Sequence, residues 1–322
     1  MGKFALMLTK PIVVVGSINM DLVVAVESIP VPGQTVRATS FQTIPGGKGA
    51  NQAVAVARLG WPVYLIGKVG SDSFGSLLRD HLHRAGVNTD FVKTINAASG
   101  TATITVDSRG QNSIVVAGGA NDQVLPEDID LCENVIRSAG FVLSQLEIPL
   151  SAVLHLAHLC RRVRVPFMLD PAPARKLPGD LLESVTWLTP NESETEIVLG
   201  SSKNNHDEAS CAQAILDLGV ENVVLKRGEN GSYVGVRDPQ LRFHSDAFPV
   251  KPVDTTAAGD AFNGALAVAL SHQHDIQTAI RFASATAAIS VTRIGAQPSM
   301  PSLHEVREFL EERVSSAGAH GK

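Results

Sequence analysis

Only three cysteines, no run of basic residues and no apolar stretch of membrane-spanning length set the first limits on this 322-residue chain. Cys132, Cys160 and Cys211 are scattered and form no Cys-x-x-Cys pair, so they read as reduced thiols in a cytoplasmic protein, not as staples or zinc ligands. With a net charge of −5 and no arginine stripe, nucleic acid is not an expected partner. Met1 to Lys10 is too short for a signal peptide, and no membrane association is expected. His155 and His158 share an expected helix and read as surface residues rather than metal ligands. Two nucleotide signatures are also missing. Pro45-Gly-Gly-Lys-Gly-Ala-Asn-Gln-Ala53 has neither the spacer nor the Lys-Ser/Thr ending of a Walker loop, and it lacks the third glycine of the dinucleotide fingerprint.

What remains is a globular composition, 44% hydrophobic, long enough for one large α/β domain or two ordinary ones. Short apolar runs at 11–16, 63–69, 141–146, 165–170, 186–189 and 222–226 are expected as buried parallel strands. Between them, 50–59, 74–85, 150–163 and 209–218 carry helical periodicity, three of them stopped by Gly60, Gly86 and Gly219. This alternation predicts βαβ units and a mostly parallel sheet flanked by helices, a Rossmann-like α/β fold. Two regions alternate apolar and polar residues instead, around Val31-Pro32-Gly33 and Arg109-Gly110. They predict a small inserted β-sheet, residues 17–44 and 101–117, serving as a lid on the α/β domain of 1–16, 45–100 and 118–322. An exposed face on it would suit a homodimer. Residues 259–312 are expected to be nearly all helical, Ser201–Asp207 a polar loop and Ser315–Lys322 frayed.

Asp254-Thr-Thr-Ala-Ala-Gly-Asp260 runs small residues into an acid and then into an Ala-rich helix. Uncovered amides at a helix start form an anion cradle, so the acid at its centre is unusual. It fits a proton acceptor beside a group being transferred, although an Asp that merely favours a helix N-terminus would have the same sequence. In Pro45–Ala53, glycines around Lys48 allow close backbone approach to a polar ligand, and Asn51 falls in the first turn of the next helix. Asn19 and Asp21 follow the first strand, at the edge where open α/β sheets bind ligands. They suit a grip on vicinal hydroxyls, or are turn formers. Glu147, after another strand, offers a further acceptor. Asn191 and Glu194 begin a helix, as a cap or as a site for magnesium waters and phosphate.

Together these stretches resemble the ribokinase branch of the carbohydrate kinase family that also contains adenosine kinase and fructokinase. The resemblance runs from Ile12 to about Pro301, and its most specific motifs are Gly46-Gly-Lys-Gly-Ala-Asn-Gln-Ala53 and Asp254–Asp260. Pro190-Asn-Glu-Ser-Glu194 and Arg293-Ile-Gly-Ala-Gln-Pro-Ser299 add to them. The resemblance implies a ribokinase-like fold, a homodimer through the lid, and ATP-dependent phosphorylation of D-ribose at O5. Alternatives are a 2-deoxyribose, other pentose or nucleoside kinase, or a non-catalytic sugar-binding regulator on the same fold.

By the same resemblance, sugar contacts fall on Asn19, Asp21, Gly47, Lys48, Asn51 and Glu147, and the catalytic base on Asp260. The amides of Ala257, Ala258, Gly259 and Asp260 form the anion hole. Nucleotide and Mg2+ functions fall on Asn191 and Glu194, with Lys226, Gly228, Gly231 and Ser284 in the nucleotide region. An activating K+ is implied at Asp254, Thr256, Ser290, Arg293, Gly295 and Ser299, several of them through backbone carbonyls. Two positions depart from the family pattern: Ala257 stands where many members have Gly, and Lys226 where the residue is often Thr.

Overall fold

The structure, a computed structural model, describes residues 9–200 and 207–319, with side chains described through residue 313. The chain opens with β1 (Ile12–Val15), leaves through β2 (Asn19–Val26) and β3 (Ala38–Gly46), and returns by α1 (Lys48–Arg58) to β4 (Val63–Gly70). Next come α2 (Ser73–Arg84), β5 (Val92–Ile95), β6 (Gly100–Val106) and β7 (Asn112–Ala117). Helices α3 (Pro126–Asp130) and α4 (Glu133–Ser138) lead to β8 (Phe141–Ser144), α5 (Leu150–Val163), β9 (Phe167–Leu169), α6 (Gly179–Leu182) and β10 (Trp187–Leu188). Then follow α7 (Glu192–Leu199), α8 (Glu208–Asp217), β11 (Asn222–Lys226), β12 (Ser232–Val236) and β13 (Phe243–Ser245). The chain ends in α9 (Ala258–Ser271), α10 (Ile276–Ser290) and α11 (Leu303–Ala319).

Nine strands form the main sheet in the order β13-β12-β11-β10-β9-β8-β1-β4-β5. Pairing is parallel from β5 through β11 and antiparallel from β11 to β13. The alternation of β1 shows how both faces are covered. Ile12 and Val14 enter one core with α1, α9 and α10, while Val13 and Val15 enter a second core with α5. Each such fully buried aliphatic side chain contributes about 1.5–3 kcal/mol of transfer free energy. The order of the strands reverses between β1 and β8, which opens a crevice at their carboxyl ends.

The second sheet runs β3-β2-β6-β7, with β2 parallel to β6 and the outer pairs antiparallel. Within the expected sheet segment 101–117, β6 and β7 pair as a hairpin turned at Gly110, whose N–H donates to the Asp107 carbonyl at 2.9 Å. β3 continues beyond residue 44 to Gly46, so the second sheet runs directly into the glycine-rich loop.

Several expectations need correcting. Asn19 and Asp21 lie within β2, on the second sheet, and not simply at the end of β1. Where fraying was expected over 315–322, the backbone is helical through Ala319, and 320–322 lie outside the described residues. Of the expected polar loop 201–207, only Asp207 lies within the described residues, where it caps α8 by accepting from the Ser210 N–H at 2.8 Å. His155 lies 2.7 Å from Asp130 on the surface, and no group of three or more metal-ligating residues occurs among the described residues. No helix of the described residues is long and apolar enough to cross a membrane.

Candidate active site

Five strand ends supply the site: Ser17 follows β1, Glu147 follows β8, Asp170 follows β9, Asn191 follows β10, and Lys226 closes β11. Two helices begin among them, α1 and α9, and each brings its positive end to the crevice.

The start of α1 is fixed by its backbone. Gly47 has φ +89°, and a Cβ on it would lie 2.7 Å from the Asn19 nitrogen, so only glycine fits the turn. Glu147 Oε2 accepts from the Lys48 N–H at 3.0 Å and from the Ser17 hydroxyl at 2.5 Å. Glu147, expected as a sugar contact, therefore also caps α1. Asn19 is buried and its Oδ1 accepts from Asn121 Nδ2 at 2.7 Å. Asp21 packs against Gly46, where any Cβ would come within 2.2 Å of its Oδ2.

The start of α9 is built differently. Ala257 is the N-cap in a left-handed conformation, φ 59°, which turns the chain sharply into the helix. The Ala258 N–H donates to the Thr255 carbonyl at 3.2 Å, so within the expected cradle this amide is already engaged. Gly259 and Asp260 stand in the first turn, whose amides have no intrahelical acceptors. Asp260 is buried. Its Oδ2 accepts from Asn51 Nδ2 and its Oδ1 from Gln52 Nε2, both at 3.0 Å.

This carboxyl is the most telling group in the molecule. Burial pushes its pKa up, Asp170 adds to the rise, and Lys48, Asn51 and Gln52 oppose it, leaving it at about 6. Asp21 is raised further, to about 7, by burial and by the negative charges of Glu147 and Asp260. Burial disfavours the charge on Lys48, but Asp260, Asp170, Glu147 and Glu194 outweigh it and hold the ammonium above its ordinary pKa. The centre thus places one firmly charged lysine beside Asp260, and the Asp21 carboxyl, raised by Glu147 and Asp260, lies near that acid.

Beyond Lys48 and Asp260 opens a cavity of about 830 Å³. Asn191, Glu194, Lys226, Gly228, Gly231, Gly259 and Ser284 line it, as do Ala257 and Ala258. Phe248, Val250, Ala287 and Val291 give it an apolar end. Asn191 and Glu194 form a capping box on α7: Asn191 Oδ1 accepts from the Glu194 N–H at 2.9 Å, and Glu194 Oε2 from the Asn191 N–H at 2.7 Å. The cap reading of Asn191 is thus borne out, and capping leaves the same pair on the cavity wall. Burial raises the Glu194 pKa, with Lys226 opposing and Asp170 assisting. A lone pair of this kind suits a magnesium ion held mostly by water and phosphate.

The residues implied for a monovalent cation also converge. Asp254 Oδ1 accepts from the Thr256 N–H at 2.9 Å and Oδ2 from the Gly295 N–H at 2.8 Å. The hydroxyls of Ser290 and Ser299 are buried and 2.8 Å apart. The Arg293 guanidinium points to Glu305 at 2.6 Å, so only its backbone is left to face an ion. Carboxylate and hydroxyl oxygens without sulfur or imidazole fit potassium by donor chemistry.

Gln52, Gln145, Asp170 and Gln297 were not anticipated. Gln145 Nε2 donates to Gln52 Oε1 at 2.6 Å, Gln52 Nε2 also reaches Asp170 Oδ2 at 3.2 Å, and Gln297 Nε2 donates to Asn51 Oδ1 at 3.2 Å. Their signal was position: Gln52 lies one residue beyond Asn51, and Asp170 ends an expected strand at the ligand-binding edge.

Residues 9–303 match the pfkB family carbohydrate kinase. Ribokinase of Bacillus subtilis is 43% identical over 300 residues, 93% of this chain and 99% of that protein. Deoxyribokinase of Salmonella typhimurium is 36% identical over 302 residues, 93% of this chain and 98% of that protein. The structure of Arabidopsis thaliana ribokinase complexed with ribose and ATP matches with a TM-score of 0.86 and 37% identity, covering 94% of this chain and 99% of that one. A loop-fixed lysine and a buried acid at a helix start, beside a cavity of about 830 Å³, are thus found in a chain that belongs to the pfkB family of carbohydrate kinases.

Proposed function

We propose that this protein transfers the γ-phosphoryl group of ATP to the 5-hydroxyl of D-ribose, giving D-ribose 5-phosphate and ADP. The observation that carries the reading is Asp260: a buried carboxyl with a pKa of about 6, in the first turn of α9, between the group around Asp21 and the cavity. Ribokinases are among the relatives, and one is known with ribose and ATP bound.

Asn19, Asp21 and the Gly47–Asn51 loop hold the sugar so that its 5-hydroxyl faces Asp260, replacing a bimolecular search by positioning. Asp260 takes the hydroxyl proton as the O5–P bond forms, and the P–O bond to ADP breaks with its electron pair leaving on ADP. The Gly259 and Asp260 amides and Lys48 offset charge on the transferred group. Asn191 and Glu194 would hold Mg2+ through water, which supplies charge neutralisation at the phosphates. Asp254, Thr256, Ser290, Gly295, Ser299 and the backbone of Arg293 would hold K+, which keeps the loop before α9 in shape. The apolar end of the cavity, with Ser284 at its wall, suits an adenine ring.

The second sheet closes over the sugar and carries the dimer contact in this reading. Val23, Ile104, Ile114 and Val116 fall on the same face as Asp21, by alternation along paired strands. Ile114 and Val116 are each 52% exposed, an apolar extension of the sugar face that a second copy would cover. The buried thiols Cys132 and Cys160 suit a cytoplasmic setting.

The deoxyribokinase relative supports a second reading, phosphorylation of 2-deoxyribose. ATP consumption with ribose, 2-deoxyribose, adenosine and fructose, with and without potassium, tests both. Turnover on ribose well above the others is expected. Equal rates on the two pentoses would remove the ribose assignment, and no turnover on any substrate would leave a sugar-binding regulator.

A further inference from the structure

Asp170 follows β9, is 3% exposed, and lies in neither the sugar group nor the helix-start cradle. Its two oxygens face different halves of the site. Oδ2 accepts from Gln52 Nε2 at 3.2 Å, and that same nitrogen donates to the base, Asp260 Oδ1, at 3.0 Å. Oδ1 accepts from Lys226 Nζ at 3.1 Å. The Gln52 amide has one usable orientation, because its carbonyl is taken by Gln145 Nε2 at 2.6 Å. Its N–H groups must therefore face the two carboxylates. Lys226 is placed as closely: a Cβ on Gly259 would be 3.3 Å from its Nζ, so the ammonium rests against the first turn of α9.

We propose that Asp170 is a positioning residue that ties the two ends of the site together, orienting Asp260 through Gln52 and holding Lys226 over the first turn of α9 against the transferred phosphoryl group. The proposal rests on the phosphotransfer reading. A lysine suits this place, since its ammonium is a compact charge on a long stem that meets a phosphate as a point cation. A threonine, the residue often found here in the family, is too short to bridge Asp170 and the phosphate. Two buried carboxylates sharing one amide would repel, and Lys226 on one side and Lys48 on the other offset that repulsion. The charged groups facing Asp260 are then Lys48 from α1, Asp170 from the end of β9 and Asp21 from β2, with Lys226 and Glu194 reaching it through Asp170.

The experiment uses the full chain with Asp170→Asn, Lys226→Thr and Lys226→Arg. The double variant Asp170→Asn/Lys226→Thr serves as a control that leaves no unpaired buried charge. The Asp260 carboxyl is titrated by 13C NMR, independently of turnover. Asp170→Asn should move that titration downward by about half a pH unit or more, because a neighbouring negative charge is gone. Lys226→Thr should lower kcat by ~10–10²-fold, and it should weaken a non-hydrolysable ATP analogue more than ADP, which lacks the γ-phosphate. Lys226→Arg should recover part of kcat. An unmoved Asp260 titration in both Asp170→Asn and the double variant would overturn the orienting role. Equal losses for ADP and the ATP analogue would overturn the placement of Lys226 at the γ-phosphoryl group. Absence of wild-type turnover on any sugar would instead sink the phosphotransfer reading, and the NMR titration would still decide whether Asp170 governs Asp260.

Discussion

Asp254 and Asp260 stand at the two ends of one short loop, the first half-buried and the second buried, yet their carboxyls are driven in opposite directions. Burial raises Asp254, but hydrogen bonds from Thr256 and Gly295 prevail and hold its pKa below the ordinary value. Burial raises Asp260 as well, and there the carboxamides of Asn51 and Gln52, with Lys48, only limit the rise to about 6. Backbone amides donating to a carboxylate keep it charged at all working pH values, which suits a fixed anchor or a cation ligand. A carboxyl left near neutrality is poised to accept a proton. Residue type is the same at both ends, and the environment assigns the role.

The comparison is sharpened most by removing the proton acceptor. Asp260→Asn is expected to cut kcat by ~10²–10⁴, the usual worth of a general base, with ribose and ATP affinities changed less than a few fold. Calorimetric binding beside steady-state rates checks the split, and a variant with near-full turnover would take the role away from Asp260. In the wild type, kcat/KM for ribose should rise with pH through about 6 as Asp260 loses its proton. Asp21, raised to about 7, should add a second acid limb in which ribose binding weakens on acidification. In Asp21→Asn that limb should disappear.

The two acids should also show opposite linkage. Asp260 binds its proton more tightly folded than unfolded, so its contribution to stability is greatest below 3.8 and is lost as pH rises through about 6. The Asp254 contribution has the reverse sign: it is present above 3.8 and lost as pH falls through its lowered value. Urea unfolding of Asp254→Asn across pH 3 to 8 checks this, with the destabilisation expected to vanish toward the acid end. The same variant should need about 10–100-fold more potassium for half-maximal activation, as loss of a ligand or its support typically does. A potassium requirement equal to wild type would leave Asp254 as a loop anchor only.

Most of the fold could be read from periodicity, because the central strands are fully buried and most of the long helices between them end at glycines. The edges were not legible. β12 contains Gly235 and β13 spans only Phe243–Ser245, so neither carries a pattern long enough to count. Within the site, residues announced by backbone demands were visible, as with the glycines around Lys48 and the small residues before Asp260. The carboxamides of Gln52, Gln145 and Gln297 were not. Their roles arise only when α1, the end of β8 and the loop before α11 meet, and no local spacing encodes that meeting. Asp170 stands at the end of a strand legible from its apolar run, but its charge acquires meaning only from Gln52 and Lys226.

The smallest expected effect tests what joins the two acids. Ala257 sits between them at φ 59°, ψ 14°, a region that disfavours a Cβ by roughly 1–2 kcal/mol. Glycine would relieve that strain but would also enlarge the freedom of the unfolded chain, by about 0.4–1 kcal/mol. Ala257→Gly should therefore stabilise the protein by no more than about 1.6 kcal/mol, a rise in Tm of a few degrees at most. Turnover should change less than about threefold if Asp254 and the Ala258–Thr255 bond already hold the loop in shape. A tenfold fall in kcat with Tm unchanged would mean instead that the methyl group itself restricts the loop. The contrast between the two acids would then depend on a strained alanine more than on the hydrogen bonds around each carboxylate.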